Sequence, residues 1–205
     1  MQSDALQSDI PAIIIAAGAS KRLGQPKSLL PLGNQTLIQW SCNRLSREGF
    51  HPIIVTRVEL YDQTTNVLGD KIVIVNQQPE RGRTSSIQTG LQHIINANLN
   101  LANGVLIVPV DRPGWPNGVL QALAECDTSS CLAFDGRKGH PVFIHPSDVD
   151  KLLTCHASLP LRDCIEFSSF DVHAPFLQLN IDSEDDVKML NCFYDEMQNS
   201  SSKYL

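Results

Sequence analysis

Short apolar runs bounded by turn-forming residues recur along the chain at 12–16, 53–56, 72–75, 105–109, 131–134, 141–144 and 177–181. Runs of this length predict β-strands. The first four are continuously apolar rather than alternating, the pattern of strands covered on both faces, so they are expected at the centre of a parallel sheet. Helical spacing fills the intervals. Leu37, Ile38, Cys42 and Leu45 share one helical face, with Thr36 and Gln39 spaced as a capping box at its start. Ile87, Leu91, Ile94 and Ile95 mark a second helix begun after Gly82, and a third is expected over about 117–124. Val187, Leu190, Phe193 and Met197 mark the last, opened by Ser183 with Asp186 three residues on. The alternation predicts an α/β fold: one domain, a three-layer α/β/α sandwich on a mostly parallel, Rossmann-like sheet of about seven strands. Ligands of such sheets bind beyond the carboxyl ends of the strands, where the loop after the first strand lies.

A chain of 205 residues suits one sizeable core, and no repeat or linker divides it. The expected organisation is a polar extension over 1–11, a domain over 12–198 and a frayed, Ser-rich tail over 199–205. With 42% hydrophobic and 19% charged residues the composition is that of a globular protein. A net charge of -6 argues against nonspecific nucleic-acid binding. No apolar run approaches a membrane span and residues 1–11 hold no signal-peptide core, so a cytoplasmic protein is expected. Cysteines at 42, 126, 131, 155, 164 and 192 contain no Cys-x-x-Cys pair, and the histidines do not cluster. Neither a zinc site nor a disulfide framework is indicated, and buried, reduced thiols are expected.

Charge becomes informative locally. Residues 13–33 carry Lys21, Arg22 and Lys27 and no acid, directly after the first predicted strand. Gly18 and Gly24 can take positive φ and let backbone N–H groups converge on an anion, while Ala16, Ala17, Ala19 and Ser20 keep the turn slim. The arrangement reads as a polyphosphate cradle, with Arg22 as bidentate donor and Lys27 as point charge. A plain surface loop with three solvated cations is the alternative. A Walker loop is excluded because neither glycine is followed by Lys, and a dinucleotide fingerprint because only two glycines are present.

Other candidates fall at the same predicted sheet edge. Asp111, after the fourth strand, needs a cationic partner such as Mg2+, which accepts one or two carboxylates plus phosphate and water oxygens; capping a turn before Pro113 is the alternative. Ser85 or Ser86, after Gly82, can cap a helix or donate to a ligand. His140, before Pro141, reads on its own as a structural histidine. The run 180–186 holds Asn180, Asp182, Asp185 and Asp186, an acidic stretch suited to helix capping.

Together these residues resemble the signature of the MobA-like nucleotidyltransferases of molybdenum cofactor synthesis, roughly Leu-Ala-Ala/Gly-Gly-x-Ser-x-Arg-x-Gly-x-x-Lys. The matches are Ala16, Ala17, Gly18, Ser20, Arg22, Gly24 and Lys27, with Ile15 in place of Leu. Ala17 and the run Pro26-Lys27-Ser28-Leu29-Leu30 resemble the cytidylyltransferase branch; the guanylyltransferase branch usually has a second Gly and Asp-Lys. Four further segments resemble the family in order, so the likeness runs from Ile13 to about Asp186.

The resemblance implies a GT-A-like fold and several roles. Asp111 would bind the metal, as in the family's Asp-x-Pro, with Pro109 among the nucleotide contacts. Gly82 and Ser86 would touch base and ribose, and His140 would border the acceptor pocket. The run at 180–186 resembles Asp-Ile-Asp-Thr-Pro-Glu-Asp, with Asn180, Ser183 and Glu184 as departures. A second metal contact would then come from the Asn180 amide oxygen or from Asp182. The implied reaction passes CMP from CTP to a small phosphorylated acceptor of molybdopterin type, with Mg2+ as cofactor and Arg22, Lys27 and Asp111 as catalytic groups. A molybdoenzyme receiving the product is the implied partner. Guanylyl transfer, transfer to another phosphorylated or sugar-like acceptor, and a noncatalytic nucleotide- or cofactor-binding chaperone are the rival readings.

Overall fold

The computed structural model describes residues 10–20 and 22–199. Lys21, positions 1–9 of the expected extension and positions 200–205 of the expected tail lie outside the described residues. In chain order the elements are β1 (Pro11–Ile15), β2 (Pro31–Leu32), β3 (Gln35–Thr36), α1 (Leu37–Arg47), β4 (His51–Thr56), α2 (Tyr61–Leu68), β5 (Ile72–Val75) and α3 (Arg83–Asn96). There follow β6 (Val105–Pro109), α4 (Leu120–Ala124), β7 (Ser130–Phe134), β8 (Arg137–Ile144), α5 (Pro146–Thr154), α6 (Leu161–Cys164), β9 (Ser168–Asp171) and α7 (Glu184–Asn199).

Seven strands form one sheet in the order β5-β4-β1-β6-β8-β7-β9, and β2 pairs with β3 in a separate hairpin. All neighbours in the large sheet are parallel except β8, which runs antiparallel to both β6 and β7. The period of two sends Ile13 and Ile15 of β1 to one face and Ala12 and Ile14 to the other, which is why both faces of that strand are apolar. One face packs on Ile87, Leu91 and Ile94 of α3; the other packs on Leu37, Ile38 and Leu45 of α1 and Leu190 of α7. The result is a three-layer α/β/α sandwich on a mostly parallel sheet. The expected capping box is present: Gln39 N–H donates to Thr36 Oγ1 at 3.4 Å and Thr36 N–H to Gln39 Oε1 at 2.8 Å.

Several expectations need correction. β5 is not central but an edge strand, with Ile72 43% exposed, because a continuous apolar run does not reveal whether its second neighbour is a strand or solvent. Residues 177–181 form no strand: Leu177 and Ile181 are buried by packing, and Ile181 N–H donates to the Asp111 carbonyl at 3.0 Å instead of entering a ladder. The seventh strand is β9, whose sequence Ser-Ser-Phe-Asp holds one apolar residue, Phe170, and so no apolar run; its backbone pairs with β7. The third helix begins at Leu120 rather than near 117, Ile95 lies 40% exposed, and α2, α5 and α6 lacked a strong enough period to be predicted. Pro11 opens β1 and Asn199 ends α7.

All six cysteines are free thiols. Cys42 and Cys131 are buried, and burial pushes the Cys42 thiol up to about 12, but Cys192 on the outer side of α7 is exposed. No described helix is long and apolar enough to cross a membrane.

Candidate active site

The loop after β1 leaves the sheet between two parallel neighbours, with Ala16 N–H donating to the Val55 carbonyl at 2.8 Å and Val110 N–H to the Ile15 carbonyl at 3.1 Å. These bonds carry the ladder past the strand ends and aim the loops after β1 and β6 in the same direction. In the first loop the left-handed residues are Ser20 (φ 49°) and Gly24 (φ 67°). Gly18 does not adopt the positive φ expected of it. It lines the cavity instead, and the missing side chain there keeps backbone open to a ligand. Ser20 Oγ accepts from the Lys27 N–H at 3.1 Å and so fixes where the Lys27 side chain departs.

A cavity of about 360 Å³ opens at this edge of the sheet. Of the residues expected at a site, Ala16, Gly18, Ser20, Arg22, Lys27, Pro109, Asp111 and Asp182 line it together. At its floor the Lys27 ammonium bonds to Asp182 Oδ1 and lies 3.5 Å from Asp111 Oδ2, with the three side chains 15%, 28% and 13% exposed. Arg22, 78% exposed, reaches Asp182 Oδ2 at 3.3 Å. The Lys27 hydrogen bond, with Asn180 and Arg22 beside it, holds the Asp182 carboxyl below the usual carboxylate range.

Asp182 takes this position because the acidic run also caps α7. Asp186 Oδ2 accepts from the N–H groups of Asp182 (2.9 Å) and Ser183 (2.7 Å), while the Asp186 N–H donates to Ser183 Oγ at 3.3 Å. Capping and site-building are therefore shared between neighbours, with Asp186 and Ser183 at the helix and Asp182 in the cavity.

Other expected residues lie apart from the cavity wall. Ala17 is buried behind it. Ser86 is buried and accepts from Asn76 Nδ2 at 3.0 Å, so its hydroxyl is engaged within α3 packing. Gly82 sits at the turn into α3 with φ 108°, a conformation that L side chains avoid. His140 lies on β8, with Nδ1 buried and without a partner among the described residues. Burial, followed by the nearby Arg83 and Arg112 charges, lowers its pKa to about 4. Asn180 lines a shallower neighbouring depression shared with Arg22 and Asp182.

Sequence reasoning missed Arg83. This first residue of α3 lines the cavity and places Nη2 3.2 Å from Asp111 Oδ2. The available signal was its place directly after Gly82 at a helix start, where a cation is unfavourable for the helix dipole and so implies another purpose.

The donor set fits a hard divalent cation. Asp111 and Asp182 offer carboxylate oxygens, and Asn180 Oδ1 is a buried acceptor without a partner among the described residues, its amide nitrogen donating to Asp182 Oδ2 at 2.6 Å. No cluster of three or more His, Cys, Asp or Glu occurs among the described residues, so these groups suit an ion that shares its shell with phosphate and water.

Known proteins place this architecture. The chain is 28% identical over 136 residues to the molybdenum cofactor guanylyltransferase of Rhizobium meliloti, covering 65% of this chain and 61% of that one. It is 31% identical over 119 residues to the 2-C-methyl-D-erythritol 4-phosphate cytidylyltransferase of Psychrobacter arcticus, covering 57% of this chain and 42% of that one. The chain thus spans less than two thirds of the length of either relative. A Mycobacterium tuberculosis protein crystallised with manganese shares the fold at TM-score 0.66 and 18% identity, covering 88% of this chain and 97% of that one. A family model matches residues 12–172, from β1 through β9, and by that match the chain belongs to the MobA-like NTP transferase domain family.

Proposed function

We propose that the protein is a nucleotidyltransferase that moves CMP from CTP to a small phosphorylated acceptor of molybdopterin type. The observation that carries this reading is the cavity at the ends of β1 and β6, where Arg22, Lys27 and Arg83 converge on a pair of carboxylates, Asp111 and Asp182. A phosphate monoester is already anionic at neutral pH, so its attack needs charge neutralisation and in-line placement more than a general base. An acceptor phosphate oxygen bonds to the α-phosphorus as the bond from that phosphorus to the pyrophosphate oxygen breaks.

Each residue has a share in this. Arg22, exposed and flexible in reach, binds phosphate oxygens at the mouth; Lys27 neutralises charge deeper in; Arg83 faces them from the start of α3. The slim turn through Gly18 admits the chain of phosphates close to backbone. Asp111, Asp182 and the Asn180 amide oxygen would hold Mg2+ or Mn2+, which would supply further neutralisation of phosphate charge. Ala16 and Pro109 on the cavity wall are assigned to the nucleotide, Ala17, Gly82 and Ser86 to the backbone that shapes this wall, and His140 to the acceptor side. A cytoplasmic setting and delivery of the product to a molybdoenzyme complete the reading.

CTP is favoured by Ala17 and the Pro26–Leu30 run, and by the relative named as a cytidylyltransferase. The relative named as a guanylyltransferase favours GTP on the same site. A panel of the four nucleoside triphosphates with Mg2+, with and without molybdenum cofactor, decides between them by pyrophosphate release. Release with CTP plus cofactor supports the proposal, release with GTP alone moves it to the second reading, and binding without turnover for every nucleotide overturns both.

A further inference from the structure

The contacts of Lys27 do not match a residue that simply waits for phosphate. Its ammonium is shared by two carboxylates that arrive on loops far apart in the chain, Asp111 after β6 and Asp182 before α7, and it lies largely out of solvent. The remaining contacts close the set: Asp111 Oδ2 also faces Arg83 at 3.2 Å, and Asp182 Oδ2 takes Arg22 at 3.3 Å and Asn180 Nδ2 at 2.6 Å. We propose that the Lys27 ammonium competes with the divalent cation for the carboxylates of Asp111 and Asp182, so that metal enters only as nucleotide phosphate draws Lys27 away. This inference rests on the nucleotidyltransferase reading and specifies how its site is loaded.

The physical argument is one of competition. Two carboxylates held close together require a positive charge between them, and Lys27 supplies it intramolecularly, at an effective concentration no free ion in solution matches. Mg2+ and Mn2+ lose water reluctantly and find both oxygens of Asp182 and Oδ2 of Asp111 already engaged. A triphosphate changes the balance because it offers Lys27 a replacement anion. The Lys27 main chain is pinned by Ser20 Oγ, whereas its four-carbon stem is free to pivot from the carboxylates toward the cavity. Arg22 and Arg83 lie on the outer sides of the two Asp residues, 78% and 55% exposed, and so turn to phosphate without uncovering the pair. Metal and nucleotide are thereby coupled, each raising the affinity of the other.

Mn2+ binding in the absence of nucleotide tests this, followed by the electron paramagnetic resonance signal of the free ion. Wild type should bind Mn2+ weakly. Lys27→Gln, which keeps a hydrogen-bond donor but no charge, should bind it at least about tenfold more tightly, and Lys27→Arg should stay weak. In the Lys27→Gln background, adding Asp182→Asn should cancel the gain. Equal Mn2+ affinity in wild type and Lys27→Gln overturns the proposal, as does a gain that survives Asp182→Asn. Should the neutral variants fail to fold, wild type alone decides: saturable Mn2+ binding that nucleotide does not strengthen overturns it, and binding that appears only with CTP or GTP supports it. Turnover is measured separately by pyrophosphate release, so a wild type that binds Mn2+ tightly yet turns over removes the exchange alone. The absence of turnover with every nucleotide removes the enzymatic reading and leaves the Mn2+ comparison intact.

Discussion

Asp111 carries two cationic contacts, Lys27 and Arg83, at the end of a strand buried along its length. Replacing it by Asn keeps the shape and removes the charge. Asp111→Asn should therefore lower turnover roughly a hundredfold or more in the pyrophosphate assay while the protein stays folded, and a wild-type-like rate would remove Asp111 from the chemistry. His140 gives a prediction of another kind. Its folded pKa of about 4 lies below the ordinary 6.5, so the unfolded chain takes up a proton in that interval that the folded protein refuses. Stability is thus retained above about pH 6.5 and lost as pH falls, by roughly 2 kcal/mol between pH 7 and pH 5. Denaturant titrations at the two pH values should show this loss in wild type, and His140→Gln should flatten it. Asp182 and Asp186, whose pKa values are depressed, lose their contribution only at lower pH, whereas burial raises the pKa of Glu48, so the difference between wild type and His140→Gln isolates the histidine. That Arg22, Lys27 and Asp111 would share one cavity was legible because their types suit phosphate and metal at one sheet edge. Arg83 was not read, since its one local signal, a cation at a helix start, gains meaning only with Asp111 3.2 Å away.

At the scale of elements, the site depends on how closely α3 approaches β1. Gly90 in the middle of α3 faces Ile13, and a Cβ built on it would lie 2.7 Å from the Ile13 side chain. Ile13 is wholly buried and has little space to yield. Gly90→Val should push α3 off the sheet and cost about 1–3 kcal/mol, read as a lower denaturation midpoint; an unchanged midpoint would mean that the layer is looser than described. The start of α3 carries Arg83, so the same variant should weaken nucleotide binding by displacing that cation. The first four strands, the helix faces of α1 and α3, and the capping boxes of α1 and α7 could be read in advance because each has a local signal in period or in spacing. β9 and the extended stretch at 177–181 could not. One is a strand with a single apolar residue, Phe170, the other is apolar without being a strand, and the difference lies in which backbone groups find partners.

For the molecule as a whole, Arg44 joins parts distant in sequence. Its guanidinium is buried between the rings of Trp40 and Trp115, 4.4 and 4.6 Å from their centroids, and donates to the carbonyls of Pro113 (3.3 Å) and Trp115 (2.7 Å) and to Asn117 Oδ1 (3.0 Å). Asn117 in turn donates to the Gln198 carbonyl of α7, at 2.9 Å. The segment after Asp111 is thereby tied to α1 and to α7, which also explains why the third helix starts late. Burial lowers the Arg44 pKa to about 10, still charged at neutral pH. Arg44→Met would leave those acceptors buried without a donor and should cost about 3–5 kcal/mol, seen as a fall of several degrees in Tm. A Tm within one or two degrees of wild type would show that the clamp carries little. The sequence by itself determined the alternation of strands and helices, the phosphate-type loop and the acid after β6, since periodicity, turn chemistry and charge are properties of neighbours along the chain. Which strand lies at the edge, that Arg83 lines the cavity, and that Lys27 lies between two carboxylates came from the folded molecule alone, because contacts between residues far apart are set by packing and topology.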